Sequence, residues 1–137
     1  MKVFTDGACS CNGMKGSRGS WAAVFPDHPE LDCSGLLEGS EQTNNRAEFT
    51  AAIKALEATP EDLEILTDSN LLVNVAMGVW RAKANMDLVA RLKALMTGRV
   101  VTWTHVRAHT KATDYNSKWN READKRAVGV LEARVSE

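Results

Sequence analysis

Apolar and polar positions along the chain predict its elements one by one. Residues 2–5 carry β-branched and aromatic side chains and predict a short strand. Residues 6–19 are rich in Gly, Ser and Asn and predict a loop or hairpin connection. Residues 20–25 (SWAAVF) predict a second strand closed by the Pro26 and Pro29 segment, and residues 31–37 a weaker third. The three suit an antiparallel meander. At Thr43 the period changes: Ala47, Ala51, Ala55 and Ala58, beside Ala52 and Leu56, recur at helical spacing up to Pro60. This small-residue stripe can sit close to a sheet. Residues 63–67 (LEILT) predict a buried strand, and residues 70–75 a brief helix interrupted at Gly78. Leu88, Leu92, Leu95 and Met96 predict an amphipathic helix ending at Gly98. Residues 100–106 (VVTWTHV) predict a strand, and residues 119–133 a last helix through Ala123, Ala127, Val130 and Leu131. The order β-β-β-α-β-α-α-β-α predicts an α/β fold, a mixed sheet flanked by helices.

Composition narrows the class. A length of 137 residues suits one domain, and 44% apolar with 26% charged residues is ordinary for a globular protein. No apolar run is long enough to span a membrane, and the N-terminus does not read as a secretory signal. Cys9, Cys11 and Cys33 form an odd set without zinc-type spacing. They read as reduced thiols in an intracellular compartment, cytoplasm or nucleus, or a host cell if the source is viral. The net charge of −1 argues against a strong nucleic-acid binder, but the charge is uneven. Residues 27–64 hold ten acids against Arg46 and Lys54, whereas residues 81–107 hold Arg81, Lys83, Arg91, Lys93, Arg99 and Arg107 against Asp87 alone. The second segment either carries a basic face or is ordinary charge scatter.

Four acids recur at predicted element ends. Asp6 closes the first strand, Glu48 sits in the first turn of the long helix, Asp68 closes the fourth strand, and Asp124 lies near the start of the last helix. Each also has a plain structural reading. Asp6-Gly7 is a turn dipeptide, Asn45-x-x-Glu48 resembles a capping box, Asp68 or Ser69 can cap a helix, and Asp124 with Glu122 complements a helix dipole. Together they point elsewhere. In a sheet of this order the first and fourth strands are expected neighbours, and ligands gather beyond such strand ends. Carboxylates brought that close repel, and hard divalent cations relieve the repulsion. The set predicts a phosphate-directed metal site.

Five blocks then carry a specific resemblance: TDGACSCNG at residue 5, TNNRAE at 43, TDSN at 67, HVRAHT at 105 and NREAD at 120. In this order, and over about the whole chain, they resemble the signature blocks of type 1 ribonuclease H. The resemblance implies a five-stranded mixed sheet, three antiparallel strands then two parallel, flanked by helices. It implies an endonuclease that hydrolyses the RNA strand of RNA–DNA hybrids and leaves 5′-phosphate and 3′-hydroxyl ends. The metal-binding and catalytic carboxylates fall on Asp6, Glu48, Asp68 and Asp124. Two Mg²⁺ ions, about 3.5–4 Å apart, would clamp the scissile phosphate, and Mn²⁺ should substitute. His109 matches a catalytic histidine suited to proton shuttling and product release. Gly7, Cys9, Asn12, Thr43, Asn44, Asn45 and Asn70 fall where the family reads the 2′-hydroxyl, and Asn85 where it faces the DNA strand. Trp80 either packs against DNA sugars or plugs the core. The expected partner is the hybrid duplex, with no membrane, for a monomer acting as one catalytic domain over residues 1–137.

The chain departs from the family pattern in places. Between Asp68 and Asn85 only Arg81 and Lys83 stand for the basic protrusion many members carry, and no separate hybrid-binding domain is expected. Weaker phosphate contact should lower affinity, with Lys111, Lys118 and Arg121 as compensation. Ala108 precedes His109 where glycine is usual, and Glu41 stands where some relatives place a base against the DNA phosphate. A junction-cutting nuclease of the same broad fold, or a catalytically dead binding module, are the competing readings. The first lacks a reason for the NNRAE block, and the second for all four acids.

Overall fold

Residues facing alternate sides of a strand separate two apolar layers around a five-stranded sheet ordered β3-β2-β1-β4-β5. The structure is a computed structural model and describes residues 1–10, 16–108 and 110–135, the last two through their backbone. Strands β1 (Lys2–Ser10), β2 (Arg18–Val24) and β3 (Cys33–Leu36) are antiparallel neighbours. Strands β4 (Leu63–Thr67) and β5 (Val101–His105) run parallel to β1 on its other side. This is the mixed sheet expected from the residue pattern. Helices α1 (Asn44–Ala58), α2 (Asn70–Ala76) and α3 (Met86–Met96) contribute to the larger apolar cluster, which takes in Val3, Ile65 and Trp103. Helix α4 (Tyr115–Val135) covers the other face over Phe4, Val24, Leu66 and Val106. Among the described residues no helix is long and apolar enough to cross a membrane.

The alanine stripe does what its spacing predicts. Ala47, Ala51, Ala52 and Ala55 are fully buried, and small side chains let α1 lie close to β1. Several boundaries differ from the sequence reading, three of them for a clear physical reason. Strand β1 does not end at residue 5 but continues to Ser10, because β2 pairs with it as far as Ser10↔Arg18. Strand β3 is shorter than residues 31–37, because residues 29–31 form a 3₁₀ turn and the Asp32 carboxylate accepts the Phe25 N–H at 2.7 Å. Helix α4 begins four residues before Trp119, where the Asp114 carboxylate accepts the Ser117 N–H. Its polar first turn hides the helix from a search for apolar periodicity.

The parallel pairing of β1 with β4 stops at Phe4↔Leu66, while β1 and β2 continue for six more pairs. The two central strands therefore part, and a crevice opens at their carboxyl ends.

Of the two readings of the basic segment, a basic face is only partly available. Arg99 turns inward and donates to the carbonyls of Leu56, Thr59 and Glu61 at 2.5–2.7 Å, closing the C-terminus of α1. Arg91 pairs with Glu57 at 2.8 Å. Arg81, Lys83, Lys93 and Arg107 remain exposed. Replacing Arg99 with alanine should lower stability by about 2 kcal/mol, the scale of charge-assisted hydrogen bonds. Urea unfolding measures this, and an unchanged midpoint would contradict the capping role.

Candidate metal centre

The crevice is a pocket of about 300 Å³ lined by Asp6, Gly7, Glu48, Asp68 and Asp124 together with Asn44, Asn45, Ser69 and Ala108. Strand periodicity explains how the acids reach it. On β1, Val3 belongs to the α1 side and Phe4 to the α4 side, so Asp6 follows Phe4 toward α4 and Gly7 follows Val3 toward α1. On β4, Thr67 follows Ile65 toward α1, and Asp68 comes next on the α4 side. Asp6 thus lies inside the strand and not at its end.

Glu48 arrives from α1, one turn further along than the sequence reading placed it. The capping box with Asn45 does not form. Thr43 caps the helix instead, its hydroxyl accepting the Arg46 N–H at 3.2 Å. Glu48 Oε1 accepts the backbone N–H of Gly7 at 2.5 Å. A Cβ at Gly7 would come within 2.5 Å of the Ala47 carbonyl carbon and the Glu48 nitrogen. The glycine of TDG is needed for this close approach, not for a turn. Likewise Ser69, and not Asp68, caps α2 by accepting the Leu72 N–H.

Asp6, Glu48 and Asp68 each offer an oxygen within 4.8 Å of the others and could hold a metal ion. Asp124 lies outside that trio but lines the same pocket. It stands in the middle of α4, not near its start. Asp6 is 3% exposed, and burial, followed by the charges of Glu48 and Asp68, drives its pKa strongly upward. Burial and the Asp68 charge also raise Glu48, to about 7. Asp6 Oδ2 is buried with no hydrogen-bond partner. Crowded, oxygen-only and partly orphaned ligands fit a hard divalent cation.

Two residues of the motif blocks, given no role from the sequence, are partners of the acids. Thr67, fully buried, donates its hydroxyl to Glu48 Oε2 at 3.4 Å and accepts the Ser69 N–H at 3.1 Å. Asn120 donates to Asp68 Oδ2 at 3.4 Å. Its spacing of four from Asp124 puts both on one helix face, a signal the NREAD block carries.

Only some of the other expected site residues line the crevice. Gly7, Asn44 and Asn45 line it. Asn70 opens α2 and accepts from the Asn74 amide. The Cys9 thiol donates to the Gln42 carbonyl at 3.4 Å. Asn85 caps α3 with φ at 56° and accepts from Arg46, whose fork also grips Asp87 at 2.8–3.0 Å. Asn85, Asn45 and the half-exposed Trp80 line a separate groove of about 550 Å³. Asn12 and His109 lie outside the described residues. His105, given no role from the sequence, has Nε2 3.2 Å from the Asp68 carbonyl.

Comparison with known proteins gives one consistent family. A family model described as RNase H matches residues 1–132. A Ribonuclease H of Schizosaccharomyces pombe is 36% identical over 136 residues, covering 89% of this chain and 49% of that protein. The chain thus spans about half the length of that relative. A Ribonuclease H of Anaplasma marginale (strain St. Maries) is 36% identical over 151 residues, covering 97% of this chain and 91% of that protein. The crystal structure of LC11-RNase H1 in complex with RNA/DNA hybrid shares the fold, with a TM-score of 0.75 at 20% identity and 98% of both chains covered.

The crowding of the acids predicts a pH dependence. Both shifts are upward, so the folded chain retains protons that the unfolded chain releases. Without metal, stability should therefore fall as pH rises from the ordinary carboxylate range through about 7. At pH 8 folding must hold a proton on Asp6 that the unfolded chain releases, so Asp6→Asn should raise the melting temperature in chelator at pH 8 by about 5 °C. Calorimetry at pH 5 and pH 8 tests this, and an Asp6→Asn protein less stable than wild type at pH 8 would contradict it.

Proposed function

The chain belongs to the RNase H family, and from that premise we propose that it hydrolyses the RNA strand of RNA–DNA hybrids using two Mg²⁺ ions held by Asp6, Glu48, Asp68 and Asp124. The observation that carries this reading is the meeting of Asp6, Glu48 and Asp68 within 4.8 Å, with Asp124 in the same pocket. Bound there, the ions would lower the pKa of an attacking water and stabilise the leaving 3′ oxygen, giving 5′-phosphate and 3′-hydroxyl products, and Mn²⁺ would substitute.

The remaining steps belong to the chain. The Gly7 N–H and the Thr67 hydroxyl fix the two oxygens of Glu48. The Asn120 amide orients Asp68. Asn44 and Asn45, which line the pocket, are short polar residues that would read a 2′-hydroxyl beside the scissile phosphate, together with Gly7, Cys9, Asn12, Thr43 and Asn70. The groove holding Trp80 and Asn85 would take the DNA strand, with Arg81 and Lys83 at its rim. His109 would carry the proton to the leaving group and assist product release. The hybrid seated on LC11-RNase H1 supports this choice of substrate. Residues 1–137 would act as one catalytic domain, as a monomer, in a reducing intracellular compartment.

A substrate panel tests the reading. RNA–DNA hybrid should be cut in Mg²⁺ and spared in chelator, while duplex DNA, duplex RNA and single strands survive. Metal-dependent cutting of duplex DNA in preference to the hybrid would exclude it. Asp68→Asn should abolish turnover with the fold intact, and His109→Ala should slow it without abolishing it. Retained turnover in Asp68→Asn would mean that the ligand set is misassigned.

A further inference from the structure

We propose that Gln42 is the positioning residue for RNA-strand selection, holding residues 43–45 in register with the β1–β2 hairpin; this rests on the hybrid-cleaving reading above. Gln42 carries none of the chemistry assigned so far, yet it is 7% exposed and fully engaged. Its side-chain amide donates to the carbonyls of Leu37 at 3.1 Å and Gly39 at 2.8 Å. Its Oε1 accepts the Gly19 N–H at 2.7 Å. Its backbone carbonyl accepts the Ser17 hydroxyl at 2.9 Å and the Cys9 thiol at 3.4 Å.

One residue thus ties β1, the start of β2 and the connection after β3 into a single knot. The strands approach tightly there: a Cβ at Gly19 would lie 2.9 Å from Leu37 Cδ2. The chain then proceeds directly to the α1 cap and the pocket, from Thr43 to Asn44 and Asn45. Buried amide groups left unmatched are unfavourable, so the knot has one satisfied arrangement. Glutamine alone among similar-sized residues supplies two donors to the two carbonyls and an acceptor to the N–H.

The acids are anchored separately. Asp6 sits on β1, Asp68 follows β4, and Glu48 is held by Gly7 and Thr67. Loosening Gln42 should therefore displace the groups that read the sugar while leaving the carboxylates in place. A hydrogen bond lost through such a shift changes affinity about tenfold.

The test pairs a protein change with a substrate change. The substrates are an RNA–DNA hybrid and the same hybrid with single 2′-deoxy nucleotides beside the cut site. Wild-type kcat/KM should drop about tenfold on the deoxy substrate, the worth of one lost hydrogen bond. In Gln42→Ala the hybrid should be cut about tenfold less efficiently, chiefly through KM, and the further drop on the deoxy substrate should nearly vanish. Ser17→Ala, which removes one bond to the Gln42 backbone and leaves its side chain intact, should show the same pattern more weakly. Mn²⁺ affinity, read by calorimetry, should match wild type in both variants. Variants that lose stability yet keep the full wild-type deoxy penalty would overturn the proposal, reducing Gln42 to a structural role. So would lost Mn²⁺ binding. A wild type that does not prefer the hybrid at all would instead overturn the functional reading beneath it.

Discussion

Buried carboxylates that share one pocket cannot all be ionised in a medium that screens poorly, and the rest of this structure is arranged around that conflict. Asp6, Glu48 and Asp68 come from a central strand, a helix and the end of a parallel strand, and their oxygens meet within 4.8 Å. A protein selected for stability alone would separate them. Here the neighbours hold them together instead. Gly7 has no side chain where α1 must approach, Thr67 offers Glu48 a hydroxyl, and Asn120 offers Asp68 an amide. The sheet supplies the space, because β1 leaves β4 after Phe4 and follows β2.

How much of this was legible depends on the range of the interaction. Local period gave the elements: the alanine stripe of α1 and the leucines of α3 fall on buried or half-buried faces. Boundaries were misread where polar residues sit inside regular structure. Asp6 looks like a strand end because its desolvation is unfavourable, yet pairing with Ala22 continues through it. The polar opening of α4 looks like loop because its cap, Asp114, acts through hydrogen bonding and not through apolar spacing. The acids themselves stood out in ordered blocks. Their supports did not, because Gly7 and Glu48 are 41 residues apart and Asn120 and Asp68 are 52 apart. The capping alternative for Glu48 does not hold for the same reason: its oxygens take distant partners, Gly7 and Thr67, and not a local one.

Electrostatics beyond the pocket are uneven. Arg46, next to the pocket-lining Asn45, is gripped by Asp87 and approached by Glu41 at 3.7 Å, so its charge is largely met within the protein. Arg91 and Arg99 are also engaged. Arg121 donates to the carbonyls of Thr110 and Ala112. The exposed bases near the open groove are Arg81 and Lys83. With Arg81 and Lys83 as the exposed bases described at that groove, the reading proposed above predicts a weak grip on a polyanion at high salt, with shape and hydrogen bonding supplying more of the selectivity.

The convergence of the acids is tested most directly by counting protons during metal binding. Titrating Mn²⁺ into the protein near neutral pH, in buffers of different ionisation enthalpy, separates binding heat from proton release. Because burial and mutual repulsion keep a proton on Asp6 and, near pH 7, part of one on Glu48, binding should release about one to two protons, and Asp6→Asn should lower the release by about one. Binding without proton release, unchanged in Asp6→Asn, would contradict the account.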